Sequence, residues 1–152
     1  MHYKQKLFSE RGGHMGDAVG YVLVCRDGYL LTQLREDIPT ILYPGYWVLP
    51  GGSVEGDESP AEATAREIHE ETDLVIAPDK LKLLCQYLRE SDGVQAHVFI
   101  YLLADNEEPI FMGEGQCFLF VSPDHLVTME LGFEQNRYIL PHLLRFLELQ
   151  PG

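Results

Sequence analysis

Residues 51–74 read GGSVEGDESPAEATAREIHEETDL, and eight of these positions are carboxylates. Ser59 is a good helix N-cap, Pro60 suits the first helical position, and Glu62 completes an S-x-x-E capping box. The pattern predicts a helix from Pro60 to about Thr72. At about 100° per residue, Glu67, Glu70 and Glu71 fall on one face. Ala63 and Thr64 share that face one turn earlier, so the expectation is a face kept open by small side chains. Ala61, Ala65, Ile68 and Thr72 form the opposite, mostly apolar stripe, suited to a core. Three like charges within one turn destabilise a helix. One reading is a solvated acidic face, and three glutamates alone favour it. The other is a site for a hard cation such as magnesium or manganese, which takes several oxygen ligands and usually keeps some waters. A Gly51-Gly52 turn, Glu58 just before the helix, and Arg66 placed to pair with Glu58 or Glu70 are left unexplained by the first reading.

Gly52, Glu58, Arg66, Glu67, Ile68, Glu70, Glu71 and Leu74 match, in order and spacing, the box of the Nudix hydrolases, and the stretch resembles that family. The one departure is Asp73, where the family has Gly. The resemblance implies an α/β/α sandwich with a mixed β-sheet. It also implies metal-dependent hydrolysis of the phosphoanhydride in a nucleoside diphosphate linked to another group, such as a nucleotide sugar, ADP-ribose or a nucleoside triphosphate. By the same resemblance, Glu67, Glu70 and Glu71, with the Gly51 carbonyl, hold Mg2+ or Mn2+. Glu58 and Arg66 look like a supporting ion pair that orients those ligands. A box glutamate, or a glutamate from a later loop, serves as general base. Glu114, set between Gly113 and Gly115, is the later-loop candidate. Gly51 and Gly52 lack Cβ, so the backbone is expected to turn sharply and approach metal and phosphate. An alternative is a non-catalytic nucleotide-sensing module on the same fold, but such a protein would be expected to lose box acids, and none is lost. A non-hydrolytic isomerase would call for a catalytic cysteine and further metal-binding histidines, and neither is identifiable.

At 152 residues the chain is read as a single domain, residues 1–152, long enough to bury a core. The formal charge of −13 argues against nucleic-acid binding, which needs a basic surface. An acidic protein acting on a small anionic nucleotide would also need a metal bridge. Cys25, Cys85 and Cys117 are odd in number and lie in apolar runs, so buried free thiols in a reducing compartment are expected. The first residues lack the apolar core of a signal peptide, and no apolar run approaches membrane-spanning length. The expectation is a cytoplasmic protein without membrane contact.

Along the chain, residues 1–16 suggest a short strand or a loose arm. Ala18–Cys25 reads as a buried strand, Arg26-Asp27-Gly28 as a turn, and Tyr29–Leu34 as the returning arm of a hairpin. The loop Arg35–Gly45 is functional, or else a packing loop or a homodimer contact. Tyr43, Tyr46 and Trp47 are candidates to stack on a base, with Trp47 preferred as core. Leu81–Leu88 and Val94–Leu103 predict a second hairpin, its second strand central and covered on both faces. His97 is expected to be a satisfied buried histidine and His69 a surface residue. Ala104–Gly115 forms a second loop, and Cys117–Val121 a further strand. Ser122-Pro123 opens a short helix. Phe133–Leu149 is the C-terminal helix, which Pro141 should kink or split.

Overall fold

The computed structural model describes residues 17–109 and 117–149. The expected N-terminal arm therefore lies outside the described residues. Strand β1, Ala18–Arg26, is the hub of a mixed sheet. Asp27 and Gly28 both take positive φ, the geometry of a tight hairpin turn, and return the chain as β2, Tyr29–Leu34. β3, Trp47–Val48, and β4, Gly51–Ser53, follow the long loop. Helix α1, Pro60–Thr72, comes next, then the hairpin of β5, Lys82–Leu88, and β6, Gln95–Leu102. β7, Cys117–Val121, and the short helix α2, Pro123–Leu126, lead to α3, Gln135–Glu148. The strand order is β3-β2-β1-β6-β5, with β4 also paired to β1 and β7 to β2. Among the described strands only β1 and β6 run parallel, with Ala18 opposite Gln95 and Cys25 opposite Leu102. β6 is thus the covered internal strand that its apolar run predicts.

Alternation along β1 builds the two layers. Tyr21, Leu23 and Cys25 join the cluster that contains Ile139, Leu140 and Leu143 of α3. Val22 and Val24 join the cluster that contains Ala65 and Ile68 of α1. Helix, sheet and helix therefore stack as the expected α/β/α sandwich.

Several expectations need correction. α3 runs through Pro141 as one helix rather than splitting. Pro141 sits on the exposed side, where the Arg137 carbonyl that loses its partner can reach water, while Ile139, Leu140 and Leu143 are anchored in the core. The helix also begins later than expected, after a 3-10 turn at Gly132–Glu134. Cys117 is exposed, unlike the buried free thiols of Cys25 and Cys85, because it is the first residue of its strand. His97 is only half-buried, and that burial lowers its pKa. His69 is exposed, as expected.

Candidate active site

The capping box fixes where α1 begins. The Ser59 hydroxyl accepts the Glu62 N–H at 3.1 Å, and the Glu62 carboxylate accepts the Ser59 N–H at 2.8 Å. The helix closes on Asp73 in the left-handed conformation, φ 62° and ψ 6°, with its N–H donating to the His69 carbonyl. Between these ends α1 lies close against β1 and β4, and glycines make that approach possible. A Cβ on Gly20 would stand 1.9 Å from Thr64 Oγ1, and one on Gly51 would stand 2.0 Å from the Gly20 carbonyl oxygen. One on Gly52 would stand 2.3 Å from the carboxyl carbon of Glu67.

This changes two readings. Gly51 and Gly52 do not form a sharp turn. They are strand residues paired with Tyr21 and Gly20, and neither has positive φ. Their missing Cβ atoms make room for the sheet backbone and for Glu67. Ala63 and Thr64 do not keep a face open either. Both are fully buried, because the small side chains are what let the helix approach the strands.

Glu67 is left 6 % exposed. Burial pushes its carboxyl up to about 8; Arg66 opposes the shift, and the nearby Glu70 and Glu71 add to it. Arg66 organises the acids. Its Nε and Nη2 reach the two oxygens of Glu58 at 2.6 and 2.9 Å, and Nη2 also donates to the Ser53 carbonyl at 3.1 Å. Nη1 lies 3.3 Å from Glu67 and 3.4 Å from Glu70, longer and weaker contacts. The hydrogen bonds from Arg66 hold the Glu58 carboxyl below its usual range despite partial burial. The Glu58 bond in turn raises the pKa of Arg66 and keeps it charged. Glu71 is half-buried on the same turn as Glu70.

Among the described residues, no three His, Cys, Asp or Glu side chains already converge on one point as ligands. The guanidinium of Arg66 stands between Glu67 and Glu70 instead. The donor set nevertheless suits a hard divalent cation. It is all oxygen, and it carries more negative charge than one guanidinium neutralises.

The other site expectations divide. Tyr46 is in contact with Tyr43, ring centroids 5.3 Å apart and edge-on, and its carbonyl accepts the Arg35 N–H. It therefore belongs to an aromatic group ahead of β3. Trp47 packs against the core, as preferred. Glu114 lies outside the described residues. Sequence reasoning missed Gly20, although a glycine inside an apolar strand is itself a signal of close backbone approach. It also missed Arg89, 3 % exposed, which is clamped by Asp92 and donates to the Tyr21 hydroxyl. No short-range pattern marks that trio, because Tyr21 and Arg89 meet across the sheet.

The NUDIX domain family model matches residues 14–143, which hold the whole acidic helix and all seven strands. This chain belongs to the Nudix family. It is a Nudix pyrophosphohydrolase. It is 39 % identical over 82 residues to a MutT-like protein of Streptomyces ambofaciens, across 54 % of this chain and 48 % of that protein. The match thus spans about half the length of that relative. It is 33 % identical over 120 residues to the nucleoside triphosphatase NudI of Escherichia coli, across 72 % of this chain and 84 % of NudI. The crystal structure of a MutT protein from Methanosarcina mazei superposes with a TM-score of 0.67 at 26 % identity, over 89 % of this chain and 95 % of that one. Nudix hydrolases generally use divalent metals and small nucleotide substrates. Among the described residues no helix is long and apolar enough to cross a membrane.

Proposed function

We propose that this Nudix hydrolase cleaves the phosphoanhydride of a nucleoside diphosphate derivative, with nucleoside triphosphates the first class to test. The observation that carries the reading is the buried Glu67 carboxylate lodged against Gly52 beside Glu70 and Glu71. The likeness to NudI, a nucleoside triphosphatase by name, favours triphosphates within the class. Glu67, Glu70, Glu71 and the Gly51 carbonyl would hold Mg2+ or Mn2+. When bound, the cation supplies activation of a water and neutralisation of phosphate charge. Glu58 fixes Arg66, and Arg66 restrains the side chains of Glu67 and Glu70, so the ligands are held in place by their neighbours. Gly52 lies against the Glu67 carboxyl, and Tyr46 stands with the aromatic group that would flank the substrate. Glu114 is the proposed proton acceptor, since a carboxylate that does not hold metal is the stronger base.

The test is hydrolysis of the nucleoside triphosphates, a nucleotide sugar and ADP-ribose, each with Mg2+ and with EDTA, by the wild-type and Glu70→Gln proteins. Metal-dependent product release that collapses in Glu70→Gln is expected, and Glu114→Gln should lose on the order of a hundredfold in turnover. Equal turnover in EDTA, or a Glu70→Gln protein at the wild-type rate, would overturn the reading.

A further inference from the structure

Helix α3 starts on two side chains that reach back past its first turn. Asn136 accepts the Leu131 N–H and donates to the Met129 carbonyl, both at 2.7 Å, and so ties the helix to the segment just before it. Gln135 reaches further along the chain. Its Oε1 accepts the N–H of Leu49 at 2.8 Å, between residues 86 positions apart. The turn that aims it is strained. Phe133 and Glu134, two consecutive residues with side chains, take φ of 58° and 57°. The turn also sits hard on β3, since a Cβ on Gly132 would stand 2.9 Å from Val48 Cγ1. Backbone strain of this kind persists only where the surrounding structure over-determines it.

Gln135 is fully buried, and its Nε2 has no partner among the described residues. An unpaired buried amide nitrogen costs stability. What the side chain supplies is one acceptor, on Leu49. Leu49-Pro50 joins β3 to β4, and here the sheet is short of a bond. The Val54 N–H donates to the Ala18 carbonyl and the Val22 N–H to the Pro50 carbonyl, both at 2.9 Å, so residues 50, 52 and 54 are the ones whose backbone bonds face β1. Pro50 has no N–H to return the second bond of its pair. The same alternation turns the Gly51 carbonyl away from β1 and out of that ladder. Just ahead of Gly51, the ladder therefore holds the backbone by the single bond at Pro50, and the bond from Leu49 to Gln135 adds the missing restraint.

We propose that Gln135 is a positioning residue for the cation site: by fixing Leu49 it sets, through the rigid Pro50, where the Gly51 carbonyl stands relative to Glu67. Gly51 and Glu67 belong to different elements, β4 and α1, so neither element alone sets the distance between them. Magnesium demands near-ideal octahedral geometry, so a small drift of one oxygen weakens the site. Groups that orient ligands from behind typically change metal affinity by about tenfold to a hundredfold. The inference rests on the reading that Glu67, Glu70, Glu71 and the Gly51 carbonyl hold the cation.

Titration of the full chain with MnCl2, with free Mn2+ counted by electron paramagnetic resonance, tests it without turnover. Gln135→Met keeps the length and removes the acceptor, and should weaken Mn2+ binding about tenfold. Gln135→Glu restores an acceptor oxygen and should return the affinity to within about threefold of wild type. Asn136→Ala loosens the same end of α3 without touching Leu49, so it should lower the Tm and leave Mn2+ affinity unchanged. Gln135→Asn keeps the amide but falls short of Leu49, and it takes the place of Gln135→Met should that variant fail to fold. Mn2+ affinity within about twofold of wild type in the variant that lacks the bond to Leu49 overturns the inference. Equal weakening in Asn136→Ala, or no recovery in Gln135→Glu, overturns it too. Any of these results beside intact metal-dependent hydrolysis leaves the proposed reaction standing. A wild-type chain that binds no Mn2+ overturns both.

Discussion

Asp73 and Glu67 show how much single residues of α1 depend on their local setting. Asp73 holds a left-handed C-cap, φ 62°, where the box of the family has glycine. A Cβ is strained there, and an aspartate charge is unfavourable at a helix C-terminus. Asp73→Gly should therefore raise stability by a few tenths to about 1 kcal/mol with catalysis intact. Thermal unfolding checks this, and a lower Tm for the variant would refute the strain argument. Glu67 has the opposite problem, since burial lifts its carboxyl from 4.5 to about 8. The folded state then binds this proton more tightly than the unfolded chain. Its contribution is fully present below about pH 4.5 and is lost as pH rises through about 8. Glu58, whose carboxyl is lowered by Arg66, contributes above its unfolded pKa and loses that contribution only as pH falls further, so the two windows separate. In EDTA, wild type should lose roughly 1–4 kcal/mol relative to Glu67→Gln between pH 5 and pH 8. Urea unfolding at the two pH values measures it, and parallel pH dependence in the two proteins counts against a buried, proton-holding Glu67.

At the scale of elements, the seat of α1 on β1 and β4 decides the site. Gly20 is its tightest point, with Thr64 Oγ1 1.9 Å from where a Cβ would be and the Pro60 carbonyl at 3.1 Å. Gly20→Ala should cost about 1–3 kcal/mol by overpacking. Thr64→Ala removes the nearest atom, so the double variant should recover part of that loss, a coupling that a double-mutant cycle reads directly. Additive effects would mean the helix does not bear on Gly20. This contact also shows where sequence reading stops. The ends of α1 were legible because caps are local: Ser59, Pro60, Glu62 and Asp73 each act within a turn of themselves. The hairpins were legible from the Asp27-Gly28 and Asp92-Gly93 turns and from alternating apolar residues. The closeness of α1 to the sheet was not, because Gly20 and Thr64 are 44 positions apart, and a glycine inside a strand signals a close approach without saying which element makes it. For the same reason Gly51 and Gly52 read as a turn. Glycine looks alike in a turn and in a strand where another element needs the room. Pro141 left a split open that the structure does not show, since its cost depends on whether the freed carbonyl faces water, and that depends on how α3 rolls on the sheet.

For the whole molecule, the governing quantity is the net charge of −13. Such a chain repels itself and repels a nucleotide, so any cation relieves it to some degree by screening. A cation held at Glu67, Glu70 and Glu71 does something more, because it binds the folded arrangement and not the dispersed glutamates of the unfolded chain. Its stabilisation grows with the logarithm of its concentration, reaching about 2.7 kcal/mol at a hundred times the dissociation constant. Screening has no such dependence on one site. Thermal unfolding in rising MgCl2, compared with NaCl at matched ionic strength, separates the two. Magnesium should raise the Tm beyond sodium, and the excess should keep rising with the logarithm of magnesium concentration once that exceeds the dissociation constant. Glu70→Gln removes one ligand and one like charge from the patch, so its metal-free Tm should rise while the magnesium excess shrinks. Those opposite signs are the discriminating feature, since a merely solvated acidic face would lose repulsion in the variant and show no magnesium excess in either protein. Equal shifts with magnesium and sodium in wild type would assign the acids of α1 to the surface and not to a metal site.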